Sequence, residues 1–205
     1  MLVIGLTGSI GMGKTTAAAQ FAARGVPVFD ADAEVHKLYE GAAVPAIAAA
    51  FPRAVREGKV DRTLLAREIA GAPEKLRELE AIVHPLVVEA EIAFLREAEK
   101  KGAEFAVLEI PLLFETDAQE RADVTVVVSA PEHIQRARVL KREGMTEEKL
   151  RNLTNRQLPD GEKRARADFI VDSGTSLDNM QAQVDKILDS LRGRAGRVME
   201  RLRHL

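Results

Sequence analysis

Eight residues near the start of the chain constrain its fold more than any other segment. Residues 8–15 read Gly-Ser-Ile-Gly-Met-Gly-Lys-Thr and fit G-x-x-x-x-G-K-[ST], the pattern of a phosphate-binding loop. The apolar run 2–6 precedes them, and the helical stretch 16–24 follows and stops at Gly25. Because the pattern requires a strand before the loop and a helix after it, this order favours a nucleoside triphosphate site over a chance match.

The residue types in this loop suit the binding of phosphate groups. Glycines let the backbone curl so that consecutive amides point at phosphate oxygens, and the helix start adds further free amides. We expect Lys14 to bridge the β- and γ-phosphates and the Thr15 hydroxyl to take one position on Mg²⁺. The residues expected to hold the triphosphate are Gly11, Met12, Gly13, Lys14, Thr15 and Thr16. Kinases, GTPases and motor ATPases share such a loop, so other residues must indicate the reaction.

The composition of the chain narrows the class of protein. Its 205 residues predict one domain, with room for insertions, and its net charge of −2 gives no broad attraction to nucleic acid or an anionic membrane. The absence of cysteine excludes disulfides and thiolate metal sites. The chain starts directly in an apolar strand, without a charged leader, and has no apolar run that could span a bilayer. We expect a cytoplasmic protein that is monomeric or weakly homo-oligomeric.

Short segments rich in Val, Ile and Phe predict five strands, at residues 3–6, 26–29, 104–110, 124–129 and 169–171. Helical patterns separate these segments, which is typical of a parallel sheet with helices on both faces. The expected fold is α/β: the three-layer P-loop NTPase fold with a parallel five-stranded sheet.

About seventy residues separate the second predicted strand from the third, and none of them forms a convincing strand pattern. They predict helices at 33–40, 42–51, 62–70, 74–83 and 86–101, with Pro85 forcing a break after His84. A crossover needs far fewer residues. We therefore expect residues 31–101 to form a helical insertion that binds the second substrate at the carboxyl edge of the sheet. The alternative is an ordinary set of crossover helices.

A basic stretch follows the fourth predicted strand. The helical segment 131–143 carries Arg136, Arg138, Lys141 and Arg142, and Thr146 is placed to cap a further helix. In a phosphotransferase, this stretch would form a helical lid that closes over the nucleotide and offers guanidinium groups to the moving phosphoryl group. The alternative is a solvated charged face, because nearby glutamates balance much of the charge.

Acidic residues stand where two predicted strands end. Asp30 and Asp32 end the second strand, and on an extended chain their side chains would face the same side. We expect Asp32 to orient the acceptor hydroxyl as a base, and Asp30 to cap the following helix. Glu109 ends the third strand, where it either resembles a Walker-B acid that holds Mg²⁺ or pairs with a basic neighbour. His84 stands at a predicted helix end, where a lone histidine most often caps a carbonyl or interacts favourably with the helix dipole.

These residues together resemble the dephospho-coenzyme A kinase family over nearly the whole chain, from Leu2 to about Leu191. The glycine loop is common to many proteins, but the later motifs in this order are much more specific. The elements in order are residues 5–16, residues 25–28 leading to Asp30-Ala31-Asp32, His84-Pro85, Pro111-Leu112-Leu113-Phe114-Glu115, and Gln157 with Lys163 and Ala167-Asp168.

The resemblance implies transfer of the γ-phosphoryl group of ATP to the ribose 3′-hydroxyl of dephospho-coenzyme A, with Mg²⁺, in the last step of coenzyme A synthesis. It implies that Asp32 is the base and that Lys14 and Thr15 serve the phosphates and the magnesium ion. The acceptor-binding residues would be Asp32, His84 and Leu112. It also implies a nucleotide-binding core of residues 1–30, 102–137 and 166–205, a helical acceptor domain at 31–101 and a lid at 138–165. By the same resemblance, Arg138 or Arg142 would be the lid arginine nearest the transferring phosphoryl group, and ATP and dephospho-coenzyme A would be the partners.

Three positions depart from the family pattern. Glu109 stands where Asp is more common, and Leu153 stands where Arg is frequent. The segment Asp172-Ser173-Gly174 replaces a commoner Asn-x-Gly that lies by the adenine.

The tail 193–205 is outside the resemblance, and Val198, Leu202 and Leu205 share one helical face. That spacing predicts a frayed or packed terminal helix rather than a partner-binding one.

Three other functions compete with this hypothesis. A different small-molecule kinase, such as a nucleoside monophosphate kinase, would accept a free monophosphate and ignore pantetheine. A GTPase switch would need Asn-Lys-x-Asp, which residues 154–157 do not supply, and Asp-x-x-Gly, which is absent after the third strand. A binding module without chemistry is disfavoured by intact Lys14, Thr15 and Asp32.

Overall fold

The computed structural model describes residues 1–204 and divides into two compact units. The sheet unit contains Met1–Phe29 and the chain from Leu95 onward, and the helical unit contains Asp30–Phe94. In chain order the strands are β1 (Leu2–Thr7), β2 (Val28–Asp30), β3 (Val55–Arg56), β4 (Lys59–Val60), β5 (Phe105–Glu109), β6 (Val124–Ser129) and β7 (Phe169–Asp172). The helices are α1 (Lys14–Ala22), α2 (Ala31–Leu38), α3 (Val44–Ala50), α4 (Arg62–Ile69), α5 (Pro73–Lys100), α6 (Glu132–Leu140), α7 (Glu147–Thr154), α8 (Asp160–Arg166), α9 (Leu177–Leu191) and α10 (Val198–Leu202).

A five-stranded sheet in the order β2-β5-β1-β6-β7 forms the centre of the sheet unit. β1 pairs in parallel with β5 and β6, so that Leu6 lies opposite both Glu109 and Val126, and β6 pairs in parallel with β7. The five strands predicted from the sequence are confirmed, with small shifts at their ends. Because the strands are parallel, their carboxyl ends meet at one edge, and the glycine loop follows β1 there.

The hydrophobic core of the sheet unit joins the sheet to α1 and α9. Leu2, Ile4 and Leu6 of β1 are buried with Phe21 of α1. α9 adds apolar residues at helical spacing: Met180, Val184, Ile187, Leu188 and Leu191. Every residue of β1 is buried, as expected for a central strand covered on both faces. This packing fixes the strand that leads into the loop.

A small hairpin in the helical unit contradicts the prediction that no strand lies between Phe29 and Glu104. β3 pairs antiparallel with β4, with Val55 opposite Val60. The two turn residues Glu57 and Gly58 have positive φ angles of 50° and 76°. Such turns usually carry Asn-Gly or Asp-Gly, so Glu57 hid the turn signal in the sequence.

Helix α5 is continuous through Pro85, so the predicted break after His84 is wrong. Proline removes one amide donor and crowds the carbonyl four residues earlier, here that of Ala81. Both Ala81 and Pro85 are exposed, and water can therefore reach the freed carbonyl. The turns on either side are held by packing, because Val83 is buried in the core of the helical unit and Leu86 packs against it.

The terminal helix α10 is packed rather than frayed. Val198 and Met199 are buried, and the carboxylate of Asp123 accepts the amide of Val198 at 2.9 Å and the amide of Val3 at 2.8 Å. Leu202 is partly buried, while Leu205, the third residue of the predicted apolar face, lies outside the described residues. Within residues 1–204, no helix combines the length and the apolar character needed to cross a membrane.

Candidate active site

The glycine loop between β1 and α1 adopts a conformation that its glycines make possible. Gly11 and Gly13 have φ angles of 76° and 81°, in the left-handed region that other residues rarely adopt. A Cβ atom at Gly11 would lie 2.4 Å from Val139 Cγ2 of α6, so the loop also approaches that helix too closely for a side chain. Gly13 is the N-cap residue of α1.

Several amides of this loop are available to an anion. Within residues 1–204, the amides of Gly11 and Gly13 and those of the first helical turn at 14–16 donate to no acceptor. The first N–H groups of a helix carry the positive end of its dipole and favour negative charge. The loop is thus a cradle of donors that suits the phosphates of a nucleotide.

Lys14 opens α1 and places its ammonium group beside the end of β5. Its Nζ atom lies 3.1 Å from Oε1 of Glu109, and both side chains are largely buried. The structure therefore shows Glu109 as the partner of a basic neighbour, one of the two alternatives that the sequence left open. A phosphate that enters the cradle would share this ammonium group with Glu109.

Thr15 and Glu109 offer the hard oxygen atoms that Mg²⁺ prefers. The Thr15 side chain is exposed at the first turn of α1, and only Oε1 of Glu109 is engaged by Lys14. Among residues 1–204, no group of three or more His, Cys, Asp or Glu side chains could hold a metal ion. Mg²⁺ usually keeps most of its ligands as phosphate and water oxygens, so one or two protein oxygens are enough to hold it.

Side chains from outside the loop hold its backbone. Oε1 of Gln157 accepts the amide of Ile10 at 3.1 Å, and Nε2 of Gln135 donates to the Ile10 carbonyl at 2.8 Å. The hydroxyl of Ser173, in the turn after β7, donates to the Met12 carbonyl at 2.6 Å. Gln157 belonged to the family motif in the sequence, whereas nothing in the sequence marked Gln135 or Ser173 as contacts of the loop.

The two arginines that were expected to reach the phosphoryl group differ sharply in their contacts. The guanidinium of Arg138 donates to Oγ and to the carbonyl oxygen of Ser173 at 2.9 and 2.7 Å, which ties this side chain to the turn after β7. Arg142 is exposed beyond the end of α6, and its guanidinium makes no hydrogen bond or ion pair within residues 1–204. Of the two, Arg142 has the charge that is available to an incoming group.

Other residues of the family pattern hold the segments around the loop. Lys163 of α8 is fully buried, and its Nζ atom lies 2.8 Å from Oε1 of Glu115, which also accepts the Leu158 amide. Asp168, just before β7, accepts hydrogen bonds from both the amide and the hydroxyl of Thr125. These contacts are structural: they fix α8 and the start of β7. Leu153 is exposed on α7.

The segment 30–32 does not continue the extended strand, contrary to the sequence prediction. β2 ends at Asp30, whose carboxylate accepts the Ala33 amide at 2.9 Å and caps α2. The predicted capping role of Asp30 is thus confirmed. Because the cap starts the helix at Ala31, Asp32 lies in its first turn, and the two carboxylates are not related by strand geometry. Asp32 is exposed.

Asp32 lines a cavity of about 560 Å³ within the helical unit. His36, Tyr39 and Arg62 supply its other polar groups, and burial raises the pKa of Tyr39 despite the opposing charge of Arg62. Its apolar wall is formed by Val35, Leu65, Ala66, Ile69 and Leu79. The sequence analysis singled out Asp32 alone, because the other residues carry no motif and come from three segments (α2 with Tyr39, α4 and α5) that share one hydrophobic core.

The remaining predicted contacts of the acceptor are exposed. His84 lies inside α5 rather than at a helix end, so the helix-end interpretation of this residue is wrong. Leu112 follows β5 and is 39% exposed, although its neighbour Leu113 is fully buried. An apolar side chain that stays exposed beside buried neighbours is free to contact a ligand.

The fold and the loop together define a protein of the P-loop nucleotide-binding class. Two solved structures share the fold: a dephospho-CoA kinase from Campylobacter jejuni (TM-score 0.62, 22% identity, 92% of this chain and 96% of that one) and a shikimate kinase from Acinetobacter baumannii (TM-score 0.54, 17% identity, 95% and 96%). A crystal structure of a Thermus thermophilus protein is more similar, with a TM-score of 0.81 and 36% identity over 94% of this chain and 98% of that one.

The family is shown by comparison of the sequences. The dephospho-CoA kinase family model matches residues 2–179. A curated dephospho-CoA kinase from Brucella melitensis is 56% identical over 194 residues, which cover 95% of this chain and 97% of the relative. One from Mesorhizobium japonicum is 53% identical over 196 residues, or 96% and 100%. This chain belongs to the dephospho-CoA kinase family, which confirms the resemblance seen in its motifs.

Proposed function

We propose that this protein transfers the γ-phosphoryl group of ATP to the ribose 3′-hydroxyl of dephospho-coenzyme A, the last step of coenzyme A synthesis. The observation that carries the proposal is the family match from residue 2 to 179, which includes a glycine loop with free amides. A nucleoside monophosphate kinase would share the loop, but the relatives that match over the whole chain are dephospho-CoA kinases.

The glycine loop would hold the β- and γ-phosphates of ATP. The free amides of Gly11, Gly13 and the first turn of α1 would bind phosphate oxygens, and Lys14 would neutralise charge between the two phosphates. Thr15 and Glu109 would hold Mg²⁺, Glu109 through water, and the ion would supply positive charge between the phosphates. These groups lower the cost of the charge that builds up as the bond to the leaving ADP breaks.

Asp32 is the proposed base. In the transfer, the 3′-oxygen of the acceptor forms a bond to the γ-phosphorus, the bond to the bridging oxygen of ADP breaks, and the hydroxyl proton passes to the Asp32 carboxylate. The transition state of phosphoryl transfer is loose, so this carboxylate acts mainly by orienting the hydroxyl. The exposure of Asp32 on the wall of the cavity is consistent with such a contact.

The cavity in the helical unit is the proposed binding site for part of the acceptor. Dephospho-coenzyme A combines a purine, a diphosphate and a long, weakly polar arm, and the cavity combines Arg62 and His36 with an apolar wall. His84 and Leu112 are proposed as further contacts. Residues 31–101 would thus act as the acceptor domain, residues 138–165 as the lid, and the remaining chain as the nucleotide-binding core.

Arg142 and Arg138 are proposed to serve the lid in different ways. Arg142 is exposed and unpaired within the described chain, so it is suited to contact the transferring phosphoryl group. Arg138 is held by Ser173 next to the loop and is placed to support the bound phosphates. The turn 172–174 contacts the loop through Ser173, and we propose that it also lies near the adenine of ATP.

The test is to mix the purified protein with MgATP and dephospho-coenzyme A and to measure the products by mass. We expect one phosphoryl group to be added to dephospho-coenzyme A and the product to match coenzyme A. Parallel reactions with AMP, CMP and adenosine should give little product. Phosphorylation of a monophosphate without formation of coenzyme A would contradict the proposal and favour a nucleoside monophosphate kinase.

A further inference from the structure

The contacts on the outside of the glycine loop explain which way its amides point. The carbonyl of one residue and the N–H of the next belong to the same planar peptide unit, and in a trans peptide they point in opposite directions. All peptide bonds of residues 1–204 are trans. A side chain that binds a loop carbonyl therefore makes the N–H of the same peptide unit point away from that side chain, toward the opposite face of the loop.

Two side chains do this at the two peptide units that precede Gly11 and Gly13. Nε2 of Gln135 donates to the Ile10 carbonyl at 2.8 Å, and the Ser173 hydroxyl donates to the Met12 carbonyl at 2.6 Å. The amides on the other side of these units are those of Gly11 and Gly13. Neither amide has an acceptor within the described chain.

Both side chains are held firmly themselves. Gln135 is 8% exposed on α6, and Ser173 is 1% exposed after β7. A serine hydroxyl has only one hydrogen to donate, and Arg138 donates to the Ser173 oxygen at 2.9 Å. The Ser173 oxygen thus accepts a hydrogen bond from the guanidinium, and the hydrogen of the Ser173 hydroxyl is donated to the Met12 carbonyl. The Ser173 amide is also fixed, because it donates to the Ser129 carbonyl at 2.8 Å.

We propose that Gln135 and Ser173 are positioning residues for nucleotide binding, which orient the Gly11 and Gly13 amides toward the phosphates of ATP. The inference rests on the proposed function, since it takes ATP to be the ligand of the loop. In this scheme, neither side chain touches the phosphates of the nucleotide. Gln135 acts through the Ile10 carbonyl and Ser173 through the Met12 carbonyl, and the Ser173 hydroxyl also accepts a hydrogen bond from Arg138.

The test is to measure the dissociation constants of MgATP, MgADP and AMP by titration calorimetry for Ser173→Ala and Gln135→Met. Loss of either hydrogen bond frees one peptide unit and leaves its carbonyl without a partner. We expect each variant to bind MgATP and MgADP about tenfold more weakly, and the double variant to bind them more weakly than either single variant. AMP lacks the β-phosphate and should bind each variant as it binds the unchanged protein.

Ser190→Ala is the matched control. Its hydroxyl also donates to a backbone carbonyl, that of Ile187 at 2.7 Å, but on α9. This variant should bind all three nucleotides as the unchanged protein does. Thermal unfolding of each variant without nucleotide separates a general loss of stability from a loss of binding measured well below the unfolding temperature.

The outcomes are distinguishable. If the unchanged protein does not bind MgATP, the proposed function fails. If it binds MgATP and both variants bind equally well, the positioning role of Gln135 and Ser173 is wrong. Equal weakening of MgATP and AMP would also overturn that role, since a general distortion of the site would then account for the loss.

Discussion

At the scale of single residues, the positive charge of Lys14 pairs with Glu109 in the chain and is expected to pair with the phosphates of ATP as well. Its ammonium group pairs with Glu109, a largely buried carboxylate at the end of β5. A carboxylate carries one negative charge, whereas the β- and γ-phosphates together carry more. The phosphates of ATP are thus expected to compete well for an ammonium group that is already placed at the loop.

Replacement of this residue tests the phosphate site. In Lys14→Ala, we expect MgATP to bind about ten- to a hundredfold more weakly, because one charge-assisted hydrogen bond is lost, and turnover to fall with it. Titration calorimetry and initial rates measure the two effects. Lys186→Ala, an exposed lysine on α9, is the control and should change neither value. Retention of full turnover by Lys14→Ala would contradict the assignment of the loop.

Arg142 tests the contribution of the lid at the same scale. In Arg142→Ala, we expect kcat to fall about 10²–10³-fold, because a positive charge that stabilises the transition state is removed. The dissociation constant of MgATP should change little, since the contact forms during the transfer. Lys141→Ala removes the neighbouring exposed charge and should behave as the unchanged protein. An equal and small effect of both substitutions would show that the lid offers only diffuse positive charge.

At the scale of secondary-structure elements, one buried ion pair joins α8 to the segment after β5. Lys163 is fully buried, and its partner Glu115 also accepts the amide of Leu158 in the turn before α8. Taking both charges out of water is costly, so the pair stabilises the fold only while both partners are present. The segment between α7 and α8 therefore has a fixed end, and motion of the lid would have to occur on the other side of it.

Removal of one partner of this pair should destabilise the fold strongly. In Lys163→Met, we expect the free energy of unfolding to fall by about 3–5 kcal/mol, because the Glu115 carboxylate is left buried without its cation. Urea denaturation followed by circular dichroism measures the change. Lys101→Met breaks the exposed pair with Glu97 and should cost about 0–1 kcal/mol. Lys163→Met with the stability of the unchanged protein would show that this contact does not hold α8.

Local chemistry made the strands and most helices predictable from the sequence. The helix caps at Asp30 and Thr146 were found because Asp and Thr accept amide hydrogen bonds at helix starts. The path of α5 through Pro85 was missed because tertiary packing outweighed the local effect of proline. The β3–β4 hairpin was missed because Glu57 occupies a position that usually carries Asn, Asp or Gly.

The part of the candidate site that lies in one continuous segment was predictable from the sequence. The glycine loop could be read from the sequence because all its residues are consecutive. Gln135 and Ser173 could not, since they lie on distant segments that meet only in the folded sheet unit. Arg62 and Tyr39 of the cavity were missed for the same reason. Contacts between elements that are distant in sequence leave no periodic or motif signal in a single chain.

At the scale of the whole molecule, the proposed chemistry is divided between the two units. The sheet unit holds the glycine loop with Lys14, and the helical unit holds Asp32 and the cavity that it lines. In the proposal, the base belongs to the helical unit, whereas the phosphate ligands belong to the sheet unit. Loss of the carboxylate should therefore remove catalysis and leave the binding of ATP intact, because Asp32 is not among the proposed phosphate ligands.

Asp32→Asn tests this claim most directly, since it keeps the size of the side chain and removes its ability to take a proton. The measurement is kcat for dephospho-coenzyme A together with the dissociation constant of MgATP. We expect kcat to fall about 10²–10⁴-fold while the dissociation constant stays within about twofold of its original value. Asp30→Asn, which keeps a capping side chain, is the matched control and should retain most of the turnover. A kcat of Asp32→Asn close to that of the unchanged protein would contradict the proposal that Asp32 is the base.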